Sequence, residues 1–215
     1  MEEILNKYSL LKDQNVPRET LLEFESFVDM LIRKNDQINI ISKETAKNDV
    51  IRNRHILDSA QIIDFIDFNS KNIIDIGSGG GMPGIIVSIM IKNMERNLKV
   101  ILYEKSHHKC AFLKKASKDL KLNTVVIKKN IFEEENLDTG TIMTRAFKPL
   151  PIVLDLVFKN FKNYKNLIIF MGKSGEKVLE ETLNSWEFDF EKKQSITNED
   201  SFLLNIKNIK KKIKN

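Results

Sequence analysis

Cysteine is almost absent from this chain: one residue, Cys110, among 215. A single thiol makes no intramolecular disulfide and no multi-cysteine metal site. Long apolar runs are missing as well. No stretch reaches the roughly 18 apolar residues of a membrane span. The first residues, Met1-Glu2-Glu3-Ile4, are acidic and lack the apolar core of a signal peptide. These absences predict a cytoplasmic protein in a reducing compartment, with no membrane partner. No internal repeat and no Ser/Gly/Pro-rich linker divides the chain, so one compact domain with a modest extension is expected. Glycine is also scarce, eight in all. Five of those eight fall within positions 77 to 84.

Hydrophobic content of 41% with 30% charged residues places the chain among globular proteins, not disordered ones. The formal net charge is +5. That balance favours a polyanionic partner, but a generally Asn-, Ile- and Lys-rich composition accounts for it equally well.

The pattern changes near residue 70. Before it, Leu21, Leu22, Phe24, Phe27, Val28, Leu31 and Ile32 recur at helical spacing. Pro17 is placed to start that helix, and Glu19 in its first turn favours the positive end of the dipole. Ile62, Ile63, Phe65 and Ile66 suggest a second short helix, while Ile38 to Ile41 is ambiguous. Residues 1–68 therefore read as a helical extension packed on a core of residues 69–206. In the core, short apolar runs read as strands: Ile73 to Ile76, Val100 to Tyr103, Thr124 to Ile127, Thr141 to Thr144 and Leu167 to Met171. Helix-like stretches separate them, at 85–92, 109–120, 151–161 and 176–183. Alternation of this kind implies right-handed crossovers and a mainly parallel sheet. Phe188 to Lys192 and Phe202 to Ile206 have no helix between them and read as an antiparallel hairpin at one edge. Residues 207–215 hold five lysines and read as a solvated basic tail.

The glycine cluster follows the strand Asn72-Ile73-Ile74-Asp75-Ile76. A strand, a glycine turn and a helix start form the junction that holds the polar part of a nucleotide-like cofactor. A dinucleotide turn needs G-x-G-x-x-G. Gly77 and Gly79 fit it, but Met82 stands at the third glycine. G-x-G-x-G does fit, at Gly77, Gly79 and Gly81, with Asp75 before it. That form is similar to the first motif of S-adenosylmethionine methyltransferases. Glu104 at the end of the second strand can accept both ribose hydroxyls, in either cofactor class. A dinucleotide enzyme remains the alternative at this point.

Four local matches narrow the choice. They are Asn53-Arg54-His55-Ile56-Leu57-Asp58-Ser59, Asp75 to Gly84, Tyr103-Glu104-Lys105-Ser106 with Lys109 and Phe112-Leu113, and Thr144-Arg145-Ala146-Phe147. In order and spacing the chain resembles the bacterial RsmG/GidB proteins, which methylate guanine N7 in small-subunit (16S) ribosomal RNA to 7-methylguanosine. The resemblance covers essentially the whole chain. It departs at Asn130-Ile131-Phe132-Glu133, where the family commonly has an Arg-Ala-Glu type sequence. It departs again at Met171-Gly172-Lys173, where Lys-Gly is usual, so Lys173 receives no role.

The resemblance implies a Rossmann-like class I S-adenosylmethionine methyltransferase with about seven strands, the last two forming the hairpin. It implies S-adenosyl-L-methionine as cofactor, rRNA or the small subunit as partner, and no metal. Asp75 would orient the ammonium end. Gly77, Gly79 and Gly81 would form the turn, Met82 would pack beside the cofactor, and Ile131 and Phe132 would line the adenine slot. Arg145 would contact the cofactor's carboxylate or an RNA phosphate. His55 and Asp58, i and i+3 on a helical face, are positioning candidates with Arg145. Arg52, Arg54 and His55, with Lys43 and Lys47, are RNA candidates. Guanine N7 carries a free in-plane lone pair, so no general base is required. Proximity and pocket electrostatics would carry the rate. The base would have to leave its stack to reach the sulfonium. Nothing demands a dimer, and a monomer is expected. The rival readings are a methyltransferase for another RNA or a small molecule, and a non-enzymatic rRNA-binding factor.

Overall fold

The computed structural model describes residues 16–42 and 50–212. Lys43, Lys47 and the last three residues of the basic tail lie outside them.

Helix α1 spans Arg18–Asn35, directly after Pro17. Leu21, Phe24, Phe27, Val28 and Leu31 form its buried stripe, at the three- and four-residue steps that one helix face requires. Leu22 lies outside that stripe and is exposed. The ambiguous Ile38 to Ile41 run is irregular and forms no strand. A composite helical segment follows. It is a π-helix at Ile51–Leu57, an α-turn at Asp58–Ala60 and a 3-10 turn at Gln61–Phe65. Π-helical turns are rare and concentrate at functional sites. Arg54 and His55 sit in this one.

The main sheet has seven strands in the order β3-β2-β1-β5-β7-β9-β8. They are β1 (Asn72–Ile76), β2 (Lys99–Glu104), β3 (Thr124–Lys128), β5 (Thr141–Thr144), β7 (Asn166–Met171), β8 (Trp186–Gln194) and β9 (Phe202–Lys211). The first five pair in parallel with one another, while β9 runs antiparallel to both β7 and β8. Helices α2 (Gly84–Asn93), α3 (His107–Asp119), α4 (Leu150–Asn160) and α5 (Gly175–Leu183) make the connections. Strand order reverses between β1 and β5, and ligands of open sheets bind at the carboxyl ends beside such a reversal.

Alternation along each strand feeds two cores. Ile73 of β1 and Val100 and Leu102 of β2 pack with α1, α2 and α3. Ile74 and Ile76 of β1 pack on the opposite face with α4 and α5. The helical extension is thereby part of one of the two layers. Arg52 locks it to α1 through a paired contact with Glu25, both nitrogen–oxygen distances being 2.7 Å.

Two features depart from expectation. A second, two-stranded sheet joins β4 (Leu137–Asp138) to β6 (Phe161–Lys162), strands too short to leave a periodic signal. Residues 207–211 are not a solvated tail. They continue β9 and pair with Trp186, Glu187 and Asp189 of β8, with Ile209 buried. Lysines on the exposed face of an edge hairpin read from sequence like a tail, because the ladder that holds them is non-local.

Candidate functional site

The loop after β1 has three glycines at positive φ: Gly77 at 70°, Gly79 at 54° and Gly81 at 93°. A side chain at Gly77 would put its Cβ 2.4 Å from the Phe147 ring. At Gly79 nothing but the Gly77 carbonyl lies near, at 3.6 Å, so this residue faces open space. Backbone bonds fix the turn: Ser78 N–H donates to the Tyr103 carbonyl at 2.9 Å, and Gly81 N–H to the Ser78 carbonyl at 2.7 Å.

Glu104 ends β2 beside this turn. One carboxylate oxygen accepts the Gly79 N–H at 2.9 Å, and the other accepts the Ser106 N–H at 2.8 Å. Two backbone donors therefore aim the carboxylate and leave lone pairs on both oxygens. Asp75 behaves differently. It is fully buried, and Oδ2 accepts the Gly84 N–H at 3.0 Å, bracing the start of α2 from behind the loop. Its Oδ1 has no partner among the described residues. Burial pushes this carboxyl up to about 7, against the pull of the Gly84 N–H.

These groups border a cavity of about 420 Å³ at the carboxyl ends of β1, β2 and β5. The loop contributes Gly77, Gly79 and Met82, the strand ends contribute Glu104 and Arg145, and flanking segments contribute His55 and Ile131. Other expected residues are elsewhere. Asp75 and Gly81 do not border the cavity; Gly81 packs against Ile85 and Phe27. Phe132, expected at the adenine slot, does not border the cavity. It is exposed and stacks on Phe147, which does border the cavity, with ring centroids 5.9 Å apart. Arg52 is committed to Glu25, and Arg54 is exposed outside the cavity lining.

Arg145 emerges just after β5 and forms a buried node. Its guanidinium meets Asp58 Oδ2 at 3.2 Å and donates to the His55 carbonyl at 3.4 Å and to the Arg54 carbonyl. It also lies over the Phe170 ring at 5.2 Å. Asp58 Oδ1 accepts from Gln61 at 2.6 Å and from Ser195 at 2.9 Å. The pair thus ties the π-turn to β5 and to the hairpin loop. Asp58 acts beneath the site, not in it. The π-turn, in place of the expected α-helical i, i+3 face, sends His55 to the cavity and Asp58 to the interior.

His55 is held neutral. Burial, then the charges of Arg145 and Arg54, lower its pKa to about 4 from the usual 6.5. Its Nε2 is buried without a partner among the described residues. An unpartnered polar atom at a cavity wall is costly unless a ligand or water meets it.

Known proteins can now be set beside this geometry. The sequence model of the GidB family, described as rRNA small subunit methyltransferase G, matches residues 20–204. The chain belongs to the GidB family. A ribosomal RNA small subunit methyltransferase G of Pelagibacter ubique is 74% identical over 212 residues, 99% of this chain and 100% of that protein. The protein of the same name from Rickettsia felis is 35% identical over 196 residues, 91% of this chain and 97% of that protein. Among solved structures, a SAM-dependent methyltransferase from Aquifex aeolicus superposes with a TM-score of 0.53 at 13% identity, covering 70% of this chain and 89% of that one. The 16S rRNA methylase RmtB superposes at 0.50 and 11% identity, covering 92% and 76%. These likenesses establish the Rossmann-like class I methyltransferase fold.

The GidB pattern also contained signals that sequence reasoning passed over. Lys105 and Lys109 stand inside the quoted third match, and Phe147 ends the fourth; all three border the cavity, as does Lys148. Their neighbourhood depends on strand ends brought side by side, which spacing along the chain does not encode. Cys110 is buried, and its thiol lies 3.1 Å from the Glu104 carbonyl. Burial pushes that thiol up, away from reactivity.

Proposed function

We propose that this protein transfers a methyl group from S-adenosylmethionine to guanine N7 in small-subunit rRNA. Family membership supports the rRNA substrate, and the cavity's construction supports the cofactor. The observation that carries the reading is the Glu104 carboxylate, aimed by two backbone N–H groups beside a glycine turn whose Gly79 faces open space.

The residues present fit the cofactor. Glu104 keeps lone pairs for a ribose diol, and Ile131 with Asn130 offers an apolar wall and an amide to an adenine. Gly77 and Gly79 let the backbone approach without a Cβ. Bound there, S-adenosylmethionine supplies an electrophilic methyl group, which leaves sulfur as the N7 lone pair forms the new bond.

The protein's own part is placement. Arg145 fixes the π-turn by holding the carbonyls of residues 54 and 55. His55 stays uncharged and borders the cavity, and its Nε2 is buried without a partner among the described residues. A neutral imidazole suits a reaction that delivers positive charge to the base, because an imidazolium beside it would oppose that charge. No residue has to remove a proton from N7 and His55 does not titrate between pH 6 and 8, so any change of activity in that window is expected to follow Asp75, whose carboxyl titrates at about 7 behind the loop.

The test is incubation with methyl-labelled cofactor and small subunits, free rRNA or a metabolite extract, followed by mapping of the labelled base. Label at guanine N7 of small-subunit rRNA is expected. Label confined to a small molecule or to another RNA, or none at all, overturns the reading.

A further inference from the structure

We propose that Lys105, Lys109 and Lys148 grip RNA phosphates around the mouth of the cavity; the inference rests on the rRNA reading above and identifies where the strand is held. Lys105 follows β2, Lys109 lies in the first turn of α3, and Lys148 follows β5. All three border the cavity.

Among the described residues, five cations border that cavity, these three with Lys129 and Arg145, against one carboxylate, Glu104. Arg145 is paired with Asp58 and Lys129 with Glu134. Glu104 is engaged by backbone N–H groups. Lys105, Lys109 and Lys148 make no ion pair or side-chain hydrogen bond among the described residues. Four lysines of the hairpin contrast with them: Lys192, Lys193, Lys210 and Lys211 each face a carboxylate, those of Glu176, Asp64, Glu187 and Asp155. Three ammonium groups without an ion-pair partner among the described residues therefore share this one opening.

The cofactor does not account for it. S-adenosylmethionine carries a sulfonium, an ammonium and a carboxylate, so its net charge is positive. Three uncompensated ammonium groups at the mouth repel it. They need an anion that arrives after the cofactor and spans both sides of the opening, since Lys105 and Lys148 follow strands on opposite sides of β1. A nucleic-acid backbone meets both demands. Ammonium groups bind phosphates as point charges without selecting a base. These lysines would accordingly set the strand's position and leave base choice to the cavity.

Two triple variants test this. One is Lys105→Gln with Lys109→Gln and Lys148→Gln. The control, Lys159→Gln with Lys177→Gln and Lys210→Gln, removes equal charge from lysines that pair with Asp155, Glu181 and Glu187. Binding of a small-subunit rRNA fragment is measured across salt concentrations, and S-adenosylhomocysteine binding by calorimetry. The mouth variant should reduce the slope of log affinity against log salt by about 2, at roughly 0.7 per single-strand phosphate contact, and weaken binding about a hundredfold at 0.1 M salt. Its S-adenosylhomocysteine affinity should be no weaker than that of the parent protein, its melting temperature should match, and the control should keep the parent slope. An unchanged slope in the mouth variant, or a loss of cofactor binding in it, overturns the inference. Methyl transfer to rRNA by the parent protein is scored separately: transfer with an unchanged mouth-variant slope leaves the proposed activity standing and removes only this contact site.

Discussion

At the scale of single residues, the site separates groups that touch the cavity from groups that brace it. Glu104 belongs to the first kind. Glu104→Ala removes the acceptor of the Gly79 and Ser106 N–H groups and, on the proposed function, that of the cofactor's ribose. A charge-assisted hydrogen-bond loss of about 1.5–3 kcal/mol should weaken S-adenosylhomocysteine binding roughly ten- to a hundredfold by calorimetry. An unchanged affinity would place the ribose elsewhere. Asp75 and His55 set opposing pH slopes. Asp75 holds its proton to about 7 in the fold but loses it near 3.8 when unfolded, so its contribution to stability falls as pH rises between those values. His55 titrates near 4 in the fold and 6.5 outside it, so its contribution rises with pH from 4 to 6.5 and is lost on acidification. The two nearly cancel over their shared window. Denaturant titrations should therefore show Asp75→Asn gaining stability steadily from pH 4 to 6.5, and His55→Gln losing it. Parallel slopes in both variants would contradict these environments.

At the scale of elements, the π-turn depends on a strand distant in sequence. Arg145 and Asp58 join the turn to β5 and to the loop after β8. Arg145→Gln leaves Asp58 buried without its cation, at a cost of about 2–3 kcal/mol in chemical denaturation. The glycine loop should respond differently. Gly79→Ala forces an alanine to a φ of 54° and aims its Cβ into the cavity. A fold penalty of only about 1 kcal/mol should accompany loss of cofactor binding; normal binding would show that the cofactor passes Gly79 by. The order of helices and strands was legible because each parallel strand is a short apolar run closed by a turn. The hairpin was also legible, but not the last stretch of its second strand, residues 207–211. Lys207, Lys210 and Lys211 look solvated in one dimension, and only pairing with β8 makes them strand.

At the scale of the whole molecule, two cores on a seven-stranded sheet converge on one edge, where β1, β2 and β5 end together. A ligand that binds there binds only the folded chain. At a hundred times its Kd, S-adenosylhomocysteine should stabilise by about 2.7 kcal/mol and raise the Tm by roughly 5–10 °C in a chain of this size. NAD at the same concentration should leave the Tm in place, and the reverse pattern would restore the dinucleotide alternative. By itself the sequence determined the fold class, the cofactor turn and the family, because those signals are local: period-2 and period-3.6 burial, glycines at fixed offsets, and short contiguous motifs. Tertiary structure decided which of the named residues border the cavity. Asp75, Gly81, Phe132 and Asp58 were read as site residues and lie behind it or beside it, while Lys105, Lys109, Phe147 and Lys148 join it from the segments after β2 and β5. The reason is physical. A motif fixes where the backbone goes, but a side chain's direction and burial depend on neighbours that only the assembled sheet supplies.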